Sequence, residues 1–240
     1  MATLVSSQAQ ADQQDIMASL TEEQKFLLPF IEGITVLEGR KGSGKSTASV
    51  ALLYLLKEHF NMPIVCDFPL KEDTFGPYTH MDINAFVKDL QTVSAATKGD
   101  SPDVAERAMD SLMKGKHSIL DGSAILLDEA YKYLDCRTPA DKVVRLFGYW
   151  ISQIRHFRAS LIIVIPDISM MDKRIHRQID RIGRVYTDHD TGEVVALFND
   201  IMAGERKRLI FDATKYWPMF DSWVLTPFRM QHMNIGRGGE

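Results

Sequence analysis

The stretch Ile34–Thr47, ITVLEGRKGSGKST, decides the fold of this 240-residue chain. Its first four residues, Ile34 to Leu37, predict a buried strand. Gly39, four further residues and then Gly44-Lys45-Ser46 follow, which is the G-x-x-x-x-G-K-[ST] pattern of a phosphate-binding P-loop. A helical pattern comes directly after the loop. Because a strand before and a helix after are the context that this motif requires, the stretch predicts a P-loop α/β fold.

The residue types in the loop suit phosphate chemistry. Gly39, Gly42 and Gly44 are expected to let the backbone take positive φ and approach an anion closely. Backbone N–H groups and the start of the helix would then surround the anion. Lys45 is expected to reach the β- and γ-phosphates of a nucleotide, and the Ser46 hydroxyl is expected to bind Mg²⁺.

Composition limits the possible classes of protein. The length fits one α/β domain, with or without an appendage. A formal net charge of -4 means that any binding of nucleic acid must come from a local basic patch. Cys66 and Cys136 lack metal-ligand spacing and fit a reducing compartment. No apolar run is long enough for a membrane span and no signal peptide is recognisable, so we expect an intracellular, soluble protein.

Three regions are predicted along the chain. Residues 1–30 form a leader with a short helix, because Thr21-Glu22-Glu23-Gln24 is a capping-box pattern. Residues 31–215 form the P-loop domain, with an insert at about 70–118, and residues 216–240 form a tail. The expected architecture is a three-layer sandwich, in which helices cover both faces of a mostly parallel sheet and β-strands are added at the C-terminal end.

A second motif follows the insert. The apolar run Ala124–Leu127 predicts a strand, and Asp128-Glu129 comes directly after it, which is the Walker B pattern. Asp128 is expected to hold Mg²⁺ opposite Ser46. Glu129 is placed to polarise an attacking water. Kinases must keep water away from the γ-phosphate, so this second acid favours hydrolysis over phosphoryl transfer to another acceptor.

The second half of the chain combines a long helix, a buried strand and a basic segment. Thr138-Pro139 predicts the start of the helix, and Leu161–Ile165 reads as a buried parallel strand. Residues 155–184 hold seven Lys or Arg against three Asp. These cations form a solvated helix face, or they contact DNA phosphates or a nucleotide across a subunit boundary. Three further strands are predicted at about 183–188, 193–198 and 207–211.

The order of these motifs resembles the FtsK–HerA superfamily of DNA-pumping ATPases. The likeness runs from about Ile34 to Asp212 and is carried by GRKGSGKS, ILLDEA, IRHFRASLIIVI and DKRIHRQID. Within the superfamily, the chain is most similar to genome-packaging ATPases of tailless, membrane-containing icosahedral viruses, including archaeal ones. The Zot-like assembly ATPases of filamentous phages are similar too, although the lack of a membrane span speaks against a typical Zot-like protein.

The resemblance implies roles for particular residues. Asp128 would serve Mg²⁺ and Glu129 would be the catalytic carboxylate. An arginine finger that acts on a neighbouring subunit would be Arg155, with Arg158 and then Arg137 as the next choices. Many relatives have a γ-phosphate-sensing Gln where this chain has Pro166-Asp167, so the sensor would be Asp167 or lie elsewhere. The phosphates of ATP would be bound by Gly39, Arg40, Lys41, Gly42, Ser43, Gly44, Lys45, Ser46 and Thr47.

The favoured hypothesis is a motor that uses ATP and Mg²⁺ to pump double-stranded DNA into a preformed virus shell. The resemblance implies a homo-oligomeric ring, with a hexamer as the expected form, and capsid or portal-vertex proteins as partners in the host cytoplasm or the virion. Three alternatives stay open. One is a P-loop kinase of a small acceptor. Another is a Zot-like phage assembly ATPase or another DNA-translocating ATPase. The third is an assembly subunit that binds ATP only to hold a ring together.

Overall fold

The central feature of the computed structural model is one eight-stranded sheet. The structure describes residues 18–97, 102–114, 117–130, 142–188 and 190–221. The strands lie in the order β3-β2-β4-β5-β1-β6-β7-β8. They are β1 (Gly33–Glu38), β2 (Ile64–Cys66), β3 (Thr79–His80), β4 (Ala124–Leu127), β5 (Ser160–Ile165), β6 (Arg181–Thr187), β7 (Val194–Asp200) and β8 (Arg206–Phe211).

Most of the sheet is parallel. All pairings from β3 to β6 are parallel, whereas β7 and β8 add to the edge as antiparallel hairpin strands. The predicted fold class, a P-loop sandwich with added C-terminal strands, is therefore confirmed. The sequence did not predict β3, a two-residue parallel strand that forms the far edge within the insert.

Helices cover both faces of the parallel part. Among the described residues they are α1 (Glu22–Leu27), α2 (Lys45–Phe60), α3 (Glu72–Phe75), α4 (Ile83–Ala96), α5 (Pro102–Lys114), α6 (His117–Leu120), α7 (Lys142–Ser152), α8 (Lys173–His176) and α9 (Ala213–Tyr216). The predicted capping box of α1 is present, with reciprocal bonds between Thr21 and Gln24. The predicted start of α7 at Thr138-Pro139 lies outside the described residues.

Two apolar clusters, one on each face, hold the layers together. Helix α2 contributes Leu52, Leu53 and Leu56 to the first cluster, which continues under β7 and β8. Helix α7 contributes Phe147 and Trp150 to the second, together with side chains of α4 and α8. Helix α2 is buried along most of its length because it lies between the sheet and α1 and α9. The sequence predicts this sheet-facing side of α7, because apolar residues recur there at helical spacing: Val143, Leu146, Phe147, Trp150, Ile151 and Ile154. All of them except Val143, whose side chain lies outside the described part, are buried.

The topology decides which residues meet. Strand β5 lies between β1 and β4, so the P-loop strand and the Walker B strand are separated by one strand. Both motifs follow the carboxyl ends of their strands, and in a parallel sheet those ends share one edge. The candidate site therefore lies at this carboxyl edge, above β5. No helix within the described part of the chain is long and apolar enough to span a bilayer.

Candidate active site

The three loop glycines are required for two different reasons. Gly42 and Gly44 have φ of +81° and +86°, the left-handed region that was predicted for them. Gly39 is not among the positive-φ residues, so the prediction of a left-handed backbone was wrong for this glycine. Lack of space explains the glycine at this position instead, because a Cβ on Gly39 would lie 2.5 Å from the Val185 carbonyl oxygen. Strand β6 thus packs directly against the root of the loop.

Lys45 lies over the loop and faces the acids of the Walker B motif. Its Nζ donates to the carbonyl oxygens of Gly39 and Arg40 at 2.7 and 2.8 Å. Burial lowers the pKa of Lys45, while the negative charges of Asp128 and Glu129 act in the opposite direction. The two motifs, 83 residues apart in sequence, therefore lie within electrostatic reach of each other, as predicted.

The rest of the loop fits a triphosphate. Ser46 is half-buried in the first turn of α2, where its hydroxyl could bind a metal ion, whereas Thr47 is buried. The Ser43 hydroxyl is buried and has no hydrogen-bond partner within the described structure. Arg40 and Lys41 are exposed on the outside of the loop. Ser46 and Asp128 together offer the oxygen ligands that Mg²⁺ prefers.

The Walker B turn holds its two acids in a constrained conformation. The Glu129 amide donates to Asp128 Oδ1 at 2.9 Å, and Glu129 itself has φ of +53°. A left-handed conformation costs a non-glycine residue about 1–2 kcal/mol. Such strain persists only where the surroundings enforce it, and it is common at active sites.

Asp67 is the residue at this edge that sequence reasoning missed. It directly follows β2, and both of its carboxylate oxygens accept from the Asp128 amide, at 2.9 and 3.1 Å. Its own amide donates to the Leu126 carbonyl at 3.2 Å. Asp67 thereby extends the β2–β4 pairing by one step and fixes the start of the Walker B turn. An acid directly after a short buried strand was the available signal.

A second missed group ties the loop root to two other strands. Glu38 accepts from Arg184 Nε at 2.9 Å with one carboxylate oxygen, and from the Ile168 amide at 3.1 Å with the other. The Gly39 amide donates to the Pro166 carbonyl at 3.2 Å. The root of the P-loop is therefore bonded both to β6 and to the turn that follows β5.

Asp167, the predicted replacement for the sensor Gln, lies in that turn at the carboxyl edge. Its Oδ1 accepts from the Ser169 amide at 2.8 Å, so the side chain caps the short helical turn Ile168–Met170. Hydrogen bonding to Ser169 lowers the pKa of Asp167. The position suits a sensor, and the sensing role itself stays a prediction.

The candidate arginine fingers lie at the opposite edge of the sheet. Arg155 forms an ion pair with Asp180, whose other oxygen accepts from the Ile34 amide at 2.8 Å, at the start of β1. Arg158 pairs with Asp121 at 2.7 Å. Six residues of β1 place this edge roughly 16 Å from the loop, so neither arginine reaches the P-loop of its own subunit. Arg137 lies outside the described residues.

This geometry can bind and polarise a nucleoside triphosphate. The loop amides, Lys45 and Ser46 face the place where phosphates would sit, and Asp128 and Glu129 close it from the other side. Bound MgATP would supply the phosphoryl group and the metal charge. The protein would supply positioning, electrostatic stabilisation and a carboxylate to orient water.

Comparisons with known proteins agree with this description. No curated protein is significantly similar to the chain. The N-terminal domain of zonular occludens toxin from Neisseria meningitidis is 16% identical, with a TM-score of 0.51, and the match covers 79% of this chain and 99% of that one. A second solved structure, the ATPase domain of another protein, is 10% identical, with a TM-score of 0.50 and coverage of 90% and 98%. At these identities, the likeness confirms the fold.

The genome-packaging NTPase B204 of Sulfolobus turreted icosahedral virus 2, in complex with AMPPCP, is also similar, at 16% identity and a TM-score of 0.46, covering 74% of this chain and 97% of that one. The sequence profile of the family described as zonular occludens toxin (Zot) matches residues 33–191. This match outweighs the lack of an apolar span as an argument against a Zot-like protein. Since the match spans well over half of its length, the chain belongs to the Zot family.

Proposed function

We propose that this protein is an ATP hydrolase that drives translocation of double-stranded DNA into a preformed virus shell. One observation carries the hydrolase part: Lys45 and the acids Asp128 and Glu129 lie at the same carboxyl edge, close enough to act on each other electrostatically. The membership in the Zot family and the sequence resemblance to DNA-pumping ATPases support the motor part.

Each residue of the proposed mechanism has a separate task. The loop 39–47 holds the phosphates, Lys45 neutralises the β- and γ-phosphate charge, and Ser46 and Asp128 hold Mg²⁺. Glu129 orients the attacking water as general base. Asp67 keeps Asp128 in place through its amide. Asp167 senses the state of the γ-phosphate from the end of β5.

The proposed assembly is a homo-oligomeric ring of six subunits, acting in the host cytoplasm or on the virion with capsid or portal-vertex partners. A ring gives Arg155 a role that its own subunit cannot give it. The side chain is 65% exposed at the edge opposite the P-loop, so it would reach the nucleotide of a neighbour. An arginine supplied in this way accelerates hydrolysis by about 10³–10⁵ in other NTPases.

Steady-state ATPase assays with and without double-stranded DNA test this proposal, with oligomeric mass measured on the same sample. We expect hydrolysis that DNA stimulates. Lys45→Ala should abolish ATP binding, and Glu129→Gln should bind ATP without turnover. Transfer of phosphate to a small acceptor would favour the kinase, and one turnover without further hydrolysis would favour the structural subunit.

Subunit mixing tests the arginine directly. Arg155→Ala should bind ATP and hydrolyse it poorly, and Lys45→Ala should not bind it. Mixing these two inactive variants should restore part of the activity, because a Lys45→Ala subunit still offers Arg155 to an intact loop of its neighbour. Arg158→Ala is tested in the same way to separate the two candidate fingers, since it removes a similarly exposed, ion-paired arginine of the same edge. Full hydrolysis by a monomeric Arg155→Ala protein would reject the assignment.

A further inference from the structure

One face of the C-terminal strands is largely exposed to solvent. Side chains of β6–β8 alternate between the two sides of the sheet. Those on the inner side, such as Val185, Ala196 and Phe198, belong to the first apolar cluster. We call the other side the arginine face, and it is formed by Ile182, Arg184, Tyr186, Val195, Leu197, Asn199, Arg206, Arg208 and Ile210. Seven of these nine residues are exposed, whereas Val195 is buried and Ile182 packs partly buried against the second apolar cluster.

The strand register arranges these nine residues in three rows. One row is Ile182, Asn199 and Arg206, the next is Arg184, Leu197 and Arg208, and the last is Tyr186, Val195 and Ile210. Strand spacing and rise give the face a size of roughly 10 by 13 Å. That area is small beside the ~800 Å² that each partner buries in a standard protein–protein interface.

The charges of the face are all of one sign. Its charged residues are Arg184, Arg206 and Arg208, and its nine positions contain no acid. Glu38 holds Arg184 through Nε, yet the arginine side chain remains 81% exposed. Arg206 and Arg208 are exposed as well. A protein with a net charge of -4 thus presents a small positive surface, which is complementary to a polyanion.

Exposed apolar side chains alternate with these cations. Tyr186, Leu197 and Ile210 are 42%, 43% and 47% exposed. In a duplex the bases stack on each other, so a duplex could contact the arginines but could not use an exposed aromatic ring. A single strand can place phosphates on cations and a base on an aromatic or apolar side chain.

We propose that the arginine face binds single-stranded DNA. The phosphates lie along Arg184, Arg206 and Arg208, and one base stacks on Tyr186. This inference goes beyond the proposed function, because binding to the face requires neither ATP nor an assembled ring. Its failure would leave the proposed ATPase untouched, since basal hydrolysis without DNA is measured on the same protein.

Fluorescence anisotropy of a labelled single-stranded oligonucleotide of about 16 nucleotides tests the proposal, without nucleotide and across a salt series. The variant Arg206→Thr/Arg208→Thr removes two cations and keeps β-forming residues on the strand. We expect weaker binding and a salt slope smaller by about 1.4, which is about 0.7 for each single-strand phosphate contact. Tyr186→Thr should weaken binding roughly 5- to 100-fold, while Tyr186→Phe should retain it.

Control variants separate the effect of the arginine face on binding from the effects of overall charge and of folding. Lys71→Ser/Lys88→Ser also removes two exposed cations, at the opposite end of the sheet, and should leave the affinity unchanged. Arg206→Lys/Arg208→Lys keeps the charges and should retain most of the binding. Basal ATP hydrolysis should be the same in all of these variants.

Three results would overturn the proposal. The first is an equal loss of binding in the Lys71/Lys88 control. The second is a duplex of the same sequence that binds as tightly as the single strand and is insensitive to Tyr186→Thr. The third is a change in oligomeric mass of the Arg206/Arg208 variant at unchanged DNA affinity, which would make the face a contact between two copies of the chain.

Discussion

Replacing Asp67 by alanine removes the acceptor that holds the Walker B turn. Both Asp67 oxygens accept from the Asp128 amide, at 2.9 and 3.1 Å, in a half-buried position. A hydrogen bond to a charged group contributes about 1.5–3 kcal/mol, and an amide left without a partner costs about 1–3 kcal/mol. If the loss of this interaction energy lets the turn relax, Asp128 and Glu129 lose their fixed positions. The rate of hydrolysis should then fall roughly 10- to 100-fold.

The assay compares kcat, nucleotide affinity and the midpoint of urea unfolding in Asp67→Ala, Asp67→Asn and the wild type. Asp67→Asn keeps an acceptor oxygen and loses the charge, so we expect an intermediate kcat. Nucleotide affinity should change less than kcat, because the loop 39–47 is intact. Asp73→Ala is the matched control, since Asp73 is an exposed acid on α3 nearby in sequence. A stability loss of this size with kcat within threefold of wild type would refute the role of Asp67 in positioning the acids.

Three further predictions concern stability. Gly44→Ala should lower the free energy of unfolding by about 2–4 kcal/mol, because φ is +86° and a Cβ would lie 2.6 Å from a methyl of Val194. Gly42→Ala should lower it by only about 1 kcal/mol, because φ is +81° but the space around it is open. Equal urea midpoints for the two variants would contradict this prediction. Asp172 caps α8, and its bond to Arg174 lowers the pKa of this carboxyl to about 2. The ionised Asp172 carboxylate contributes at most about 2 kcal/mol to the free energy of unfolding, and this contribution is complete above about pH 4 and lost as pH falls through about 2. Asp172→Asn should therefore be less stable than wild type at pH 7, and the two stabilities should converge in acid. Trp150→Phe should lower the free energy of unfolding, measured in urea, by less than about 1.5 kcal/mol. The lost side-chain volume is offset because the variant removes an indole N–H that is buried without a hydrogen-bond partner in the described structure. A loss above about 3 kcal/mol would exclude this offset.

How much of the fold could be predicted depends on whether the deciding residues are close together or far apart in the sequence. The P-loop, its flanking strand and helix, and the acids after β4 are encoded in short runs of residues. Local backbone conformation and burial decide such runs, so their positions in the structure agree with the prediction. The capping box at Thr21 and the apolar side of α7 are predictable for the same reason.

Contacts between segments that are far apart in the sequence were harder to predict. That Arg155 lies at the edge opposite Lys45 follows from its place before a parallel strand, but its ion pair with Asp180 depends on β6, 25 residues later. The hydrogen bond that Arg184 donates to Glu38 joins residues 146 positions apart. Nothing in the local sequence of Glu38 indicates such a partner.

The sequence by itself determined that a phosphate-binding loop and a pair of acids exist, and that each ends a buried strand. Only the tertiary structure decided that β5 separates those strands, that Asp67 bonds to the start of the acidic turn, and that β6–β8 leave one face largely exposed. The physical reason is that hydrophobic periodicity reports burial of a segment against some surface. It does not specify which strand, far away in the chain, provides that surface.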